Sequence, residues 1–220
     1  MAGKRTYGDP CGIARALDLV GERWGLLVVR ELLLGPKRFT DLRAGLPNLS
    51  PDVLSQRLRD FERTGIARRR RLAPPAGSWV YELTDWGREL EPVVLALGRF
   101  GSRAPLERLG GELGTDSLML ALKTLFDYDA GAGLDASYEL RLGEETFSVR
   151  VTAGVLELAR GEADCADAAI TAEPAVLRAL LWHGRSLADA VRAGDAAIEG
   201  DRAAVERFLT LFPVAAPATG

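Results

Sequence analysis

Four consecutive arginines, Arg68, Arg69, Arg70 and Arg71, form the densest run of charge in the chain. Each could contact a phosphate, and every such contact adds to an affinity that falls with salt. In an extended strand the four alternate between faces, so two of them would meet a duplex together. A solvated face is the alternative reading of such a run. Shortly upstream, Ser50, Pro51, Asp52, Ser55 and Gln56 cluster where a helix begins. Residues in that position reach base edges, and the Gln56 amide can pair with adenine. Arg57 and Arg59 suit phosphate clamps, as do Arg38 and Thr40 at the start of the preceding helix. Ser50 has a second reading as a plain helix cap. Catalytic and metal chemistry find little support. The chain has one histidine, His183, and two cysteines, Cys11 and Cys165. It carries no Gly-rich phosphate loop, nucleophile elbow or metal-ligand spacing. No catalytic residue, metal or cofactor is expected.

The elements that must hold these side chains can be read from periodicity and turn chemistry. Ile13, Leu17, Val20, Trp24, Leu27, Val28 and Leu32 recur at helical spacing, with Gly21 a candidate break and Gly35-Pro36 the stop. Thr40 is expected to cap a short helix ending near Leu46, and Pro47-Asn48 marks a turn. Ser50, Pro51 and Asp52 open a second helix that Gly65 ends. Its buried stripe is expected at Val53, Leu54, Leu58 and Phe61, with Ser55, Gln56 and Arg59 facing outward. Two short helices about a tight turn make a helix-turn-helix pattern. Residues 66–72 and 79–83 then read as strands around a turn-rich tip, a hairpin with one basic arm. Thr84-Asp85 starts a further helix with Leu90, Val93, Val94, Leu97 and Phe100 on one stripe, either core or dimer seam.

Composition sets the frame. At 220 residues, 47% hydrophobic and 27% charged, the chain suits one large or two small folded domains. No apolar run is long enough to span a membrane and no signal peptide is visible, so a cytoplasmic protein without a membrane partner is expected. The net charge of −3 hides a division. Residues 1–104 carry 18 Lys+Arg against 12 Asp+Glu; residues 105–220 carry 10 against 19. The first half suits a polyanion and the second would be repelled by one. Residues 98–114 hold five glycines and a proline and read as a linker, giving domains at 1–104 and 114–220. Arg outnumbers Lys 25 to 3, which is associated with GC-rich bacterial genomes.

The first half closely resembles the HxlR family of bacterial winged-helix regulators, relatives of the MarR group. The resemblance is carried by Cys11, by Leu19-Val20-Gly21-Glu22-Arg23-Trp24, and by residues 32–42 from Leu32 to Leu42. Leu49-Ser50, Leu54-Ser55-Gln56-Arg57-Leu58 and Tyr81-Glu82-Leu83-Thr84 with Gly87 and Leu90 complete it, over about residues 9–101. The resemblance implies a homodimer on a pseudo-palindromic double-stranded operator, its recognition helices in successive major grooves about 34–36 Å apart. It also implies, from some members, oxidant or electrophile sensing at the position of Cys11. Arg15 lies one turn on, which favours a reactive thiolate, while a buried inert thiol is the alternative.

In the second half a helix over 116–126 precedes strands at 137–142, 145–151, 155–160 and 168–172, with a hairpin turn at Gly143-Glu144. Helices at 174–182 and 186–193, a strand at 196–200 and a last helix capped by Asp201 follow. This is an antiparallel α+β arrangement. Its order resembles the sterol carrier protein domain over about 114–213. That resemblance implies an apolar tunnel for a lipid-like effector, lined by Leu122, Phe126, Leu177, Leu181, Trp182, Phe208 and Phe212. The same residues at helical spacing also describe an ordinary core.

The fold class expected is therefore α+β, a winged helix-turn-helix followed by a sterol-carrier-like domain with an antiparallel sheet. The function expected is a DNA-binding transcription regulator, a repressor, with an apolar small-molecule effector. The alternatives are a lipid carrier whose winged helix serves protein contacts, and a thiol-based redox regulator using Cys11. An enzyme is not expected.

Overall fold

The computed structural model describes residues 6–104 and 113–216. Packing divides the chain into two compact units, Met1–Val94 and Leu95–Gly220.

The first unit opens with α1 (Gly12–Val20) and α2 (Gly25–Leu32). The periodic run breaks between them. Trp24 has φ of 77°, a left-handed conformation that bulky side chains seldom adopt. Gly25 then passes so close to α1 that an added Cβ would lie 2.4 Å from the Val20 carbonyl oxygen. Next come α3 (Phe39–Gly45) and α4 (Pro51–Thr64). Thr40 does not cap α3; it lies inside the helix, and Arg38 is the cap. Asp41 Oδ2 accepts from the Arg38 backbone N–H at 3.1 Å, which satisfies the entry to the helix from within. Strands β1 (Ala67–Arg71) and β2 (Trp79–Leu83) form the expected hairpin. Lys37 extends it, exchanging two backbone hydrogen bonds with Tyr81 at 2.9 and 2.8 Å.

The stretch after Thr84 is two helices rather than one, α5 (Asp85–Arg88) and α6 (Glu91–Ser102). Pro92 has no N–H to offer a preceding turn, so a helix starts afresh there. Gly98 and Gly101 lie within α6, so the linker expected from residue 98 does not begin there; residues 105–112 of it fall outside the described residues. The core of the first unit joins Val28, Val29 and Leu32 of α2 to Leu42 of α3, to Leu54, Leu58 and Phe61 of α4, and to Leu83. Val53, expected on this stripe, is 39% exposed, because the first turn of α4 projects beyond the core.

The second unit contains α7 (Thr115–Leu125), α8 (Tyr128–Gly131), β3 (Asp135–Leu142), β4 (Glu145–Thr152), β5 (Val155–Arg160) and β6 (Ala168–Ala172). After these come α9 (Pro174–Trp182), α10 (Leu187–Ala193), β7 (Ala196–Gly200) and α11 (Arg202–Thr210). The sheet order is β5-β4-β3-β6-β7. Three pairings are antiparallel, but β3 and β6 run parallel, so the sheet is mixed. The segment 161–167 carries the chain from edge strand β5 back across β4 and β3. Its path is marked by Ala163 N–H donating to Glu139 Oε2 at 2.9 Å and Asp167 N–H donating to the Ser137 carbonyl at 2.8 Å. The chain therefore enters β6 in the direction of β3. Period-two burial in β4, with Phe147, Val149 and Val151 fully covered, gives the sheet one apolar face.

Candidate nucleic-acid interface

Helix α4 owes its placement to its ends. Ser50 Oγ accepts from the Val53 N–H at 3.4 Å, Pro51 occupies the first turn, and Asp52 faces the positive end of the helix dipole. Gly65 closes the helix with φ of 78°. Burial of Leu54, Leu58 and Phe61 turns Pro51, Asp52, Gln56 and Arg59 to solvent, with Ser55 half-buried beside them. Gln56 is held rather than free. Its amide donates to Asp60 Oδ1 at 3.1 Å, and its carbonyl oxygen accepts from Arg59 Nη2 at 3.0 Å. Reading a base through this amide would use its second N–H and the second lone pair of its oxygen.

Arg57 does not join this face. Its side chain is 15% exposed and lies 3.4 Å from Asp60 and 3.9 Å from Glu22. The spacing that put Gln56 outside rotates its neighbour inward, where the buried Asp60 carboxylate attracts it. Arg57 therefore ties α4 to the turn after α1 and is not placed to clamp phosphate. Arg38 and Thr40 are exposed at the start of α3, with Thr40 Oγ1 donating to Asp41 Oδ1 at 3.2 Å.

The wing sorts its arginines by strand geometry. Arg68 Nε and Arg70 Nε each donate to one Glu82 carboxylate oxygen at 2.7 Å. The Arg69 guanidinium lies 4.6 Å from the Trp79 ring centroid and 5.9 Å from that of Tyr81. Arg71 Nε donates to the Gly77 carbonyl at 2.9 Å. The hairpin root is fixed by Thr84, whose hydroxyl donates to the Gly65 carbonyl at 2.6 Å and accepts from the Gly87 N–H at 3.0 Å. Reading types and spacing alone missed Asp60, Trp79 and Glu82 as partners. Pairing residues 67–71 against 79–83 in register would have placed Glu82 opposite Arg68.

Burial pushes the Glu82 carboxyl up, but hydrogen bonds from Arg70 and Arg68 outweigh it and hold it below the usual carboxylate range. A carboxylate with a depressed folded-state pKa stabilises the fold above its unfolded value and loses that contribution as pH falls through the folded one. Wild-type hairpin should therefore be more resistant to opening than E82Q at neutral pH. The difference should fade below about pH 4. Amide exchange of Arg70 and Val80, a hydrogen-bonded pair of the hairpin, as a function of pH measures this.

In the second unit, Leu122, Phe126, Leu177, Phe208 and Phe212 are buried, and Leu181 and Trp182 are half-buried. The Phe208 and Phe212 rings lie 5.0 Å apart, Phe126 and Phe212 6.1 Å, and Trp182 Nε1 donates to the Phe212 carbonyl at 2.9 Å. Tyr138, not singled out from the sequence, packs on Phe208 at 4.8 Å. Burial raises its phenol pKa, and its hydroxyl meets no hydrogen-bonding partner among the described residues. Cys11 is exposed at the N-cap of α1, with its own N–H donating to Asp9 Oδ1 at 2.8 Å; Cys165 is exposed as well. Among the described residues no cluster of His, Cys, Asp and Glu could hold a metal ion, and no helix is long and apolar enough to cross a membrane.

Residues 19–107 match the family model for HxlR-like helix-turn-helix proteins. YvaP of Bacillus subtilis, an HTH-type transcriptional regulator, is 36% identical over 88 residues, which is 40% of this chain and 82% of YvaP. The chain belongs to the HxlR-like helix-turn-helix family. Among solved structures, the redox regulator HypR in its oxidized form is 32% identical, with 41% of this chain covering 94% of that one at a TM-score of 0.39. Residues 112–218 match the alkyl sulfatase C-terminal family. The second unit is thus similar to the alkyl sulfatase C-terminal family, where its element order alone suggested the sterol carrier protein domain. The inverting sec-alkylsulfatase Pisa1 from Pseudomonas sp. is 20% identical over 49% of this chain, with a TM-score of 0.46. The chain spans only 18% of that enzyme. In this HxlR-type chain the segment Tyr81-Glu82-Leu83-Thr84 acquires physical roles: a platform for Arg69, a partner for two arginines, a core side chain and a cap.

Proposed function

We propose that the protein is a repressor that binds a pseudo-palindromic operator as a homodimer and releases it when its second unit takes up an apolar effector. The observation that carries the reading is the pairing of an exposed α4 face, Ser50, Pro51, Asp52, Gln56 and Arg59 with half-buried Ser55 beside them, with a wing holding four arginines. Phosphate contacts would come from the two arginines on one face of the wing, Arg38, Thr40 and Arg59, and sequence reading from Gln56. A second copy of the chain is the expected occupant of the α6 stripe. Val93, Leu97 and Phe100 are 46%, 49% and 81% exposed at spacings of four and three. Three large apolar side chains on one helical face favour a like partner over water. The packed cluster around Phe208 and Phe212 is the proposed effector site. An effector would release DNA only by binding the DNA-free state better.

The deciding experiment is an electrophoretic shift with the DNA upstream of the protein's own gene. A shift that weakens steeply with salt is expected; no shift at low salt with any local DNA would overturn the reading. Gln56→Ala should relax sequence preference at one position, by about 1–3 kcal/mol per base pair. A second reading, thiol-based control, is favoured by the exposure of Cys11 at a helix N-terminus. Cys11→Ser should then abolish loss of operator binding after mild oxidation, and an unchanged oxidant response would remove it.

A further inference from the structure

Directly opposed residues in an antiparallel pair lie on the same face. The register pairs Arg68 with Glu82 and Arg70 with Val80, and on the other face Arg69 with Tyr81 and Arg71 with Trp79. The two faces differ chemically. On the first, Val80 and Glu82 are 2% and 5% exposed, and the single Glu82 carboxylate binds both Arg68 and Arg70. The trio carries one net positive charge. Arg68 and Arg70 remain in reach of solvent, so pairing rather than burial withholds them. On the second face, no carboxylate among the described residues pairs with Arg69 or Arg71. Arg69 lies over the ring of Trp79, a tryptophan left 52% exposed. Stacking occupies the guanidinium plane and leaves its N–H edges free. Arg71 spends only Nε, on the Gly77 carbonyl.

We infer that the wing grips the DNA backbone through its Arg69 and Arg71 face, with Trp79 as the positioning residue for Arg69 and Glu82 holding Arg68 and Arg70 in reserve. The inference rests on the DNA-binding reading above. Two stacked or tethered cations meet phosphate with little ordering left to do, whereas Arg68 and Arg70 would first have to leave a carboxylate. Glu82 thereby limits sequence-independent affinity, and Trp79 sets where the effective charge sits.

The test is the salt dependence of affinity for a duplex of random sequence, read by fluorescence anisotropy on the full chain. Each phosphate contact contributes about 0.9 to the slope of log affinity against log salt. Arg69→Ala should lower the slope by about one contact, and Arg68→Ala should leave it unchanged. Trp79→Ala should weaken binding severalfold at low salt, and Trp79→Phe, which keeps a ring, should restore most of it. Glu82→Gln should steepen the slope and tighten binding. Equal slopes for Arg68→Ala and Arg69→Ala would overturn the inference, as would a Glu82→Gln slope equal to wild type. The Arg68 and Arg69 comparison stands even if the Glu82 variant fails to fold. Wild-type protein that binds no duplex overturns the underlying reading; wild-type binding with equal slopes overturns this inference alone.

Discussion

Phe61→Ala should unfold the first unit, or leave it on the edge of unfolding, at growth temperature. Phe61 is 1% exposed and sits in one core with Leu54, Leu58 and the α2 side chains Val28, Val29 and Leu32. Emptying such a site removes the transfer free energy of the ring and leaves a cavity that close-packed neighbours fill only in part, about 3–5 kcal/mol in all. A small domain has about 5–15 kcal/mol to lose. DNA binding should disappear with the fold, although Phe61 is buried in the core and not on the exposed face of α4. Val53→Ala supplies the control: Val53 is 39% exposed, and its truncation should change stability by less than about 0.5 kcal/mol. Thermal denaturation followed by circular dichroism, together with the shift assay, separates the two. Equal melting temperatures for the two variants would show that α4 is not packed as described.

The second large effect is expected at Gly87. A Cβ there would lie 2.0 Å from the Ile66 carbonyl oxygen, which is backbone and has no rotamer to escape into. The same carbonyl accepts from the Thr84 N–H at 3.0 Å, so moving it pulls on the cap of α5 and the root of the hairpin together. Gly87→Ala should cost at least about 1–3 kcal/mol, the usual range for overpacking. It should also loosen the wing before the rest of the unit melts. Hydrogen exchange at β1 and β2, compared with exchange in α2, would detect this. Uniform protection in both regions would refute it.

The two substitutions also mark what was legible. Element positions followed from caps and turn residues: Ser50, Pro51 and Gly65 fixed α4, and Gly143-Glu144 fixed the β3–β4 hairpin. These signals are local, so they survive without tertiary information. Side-chain partners are not local. Arg57 and Gln56 are neighbours in sequence and both polar, yet Asp60 draws the cationic Arg57 under the helix and only fastens Gln56 in place. A stripe drawn on helical spacing put Val53 and Phe61 together, but it could not show where the core ends. The cap of α3 slipped from Thr40 to Arg38 because Asp41 reaches backward, a contact that residue preferences at a single position do not capture. The parallel pairing of β3 and β6 lay beyond periodicity altogether, since alternation is the same in either direction. In the wing, alternation alone put two arginines on each side; the register decides which partners each pair meets.

The parallel pairing has a consequence for the protein as it is being made. Strand β3 gains β4 at once, across a two-residue turn, but its other edge waits for β6, with Tyr138 pairing to Ala168 thirty residues on. Until the ribosome has released that segment, the nascent chain presents an open edge carrying Tyr138, Leu140 and Leu142, side chains that end fully or almost fully buried. An unpaired apolar edge recruits strands from other chains. Premature termination between residues 145 and 167 would make that exposure permanent, so messages interrupted there should yield aggregates rather than a soluble DNA-binding fragment.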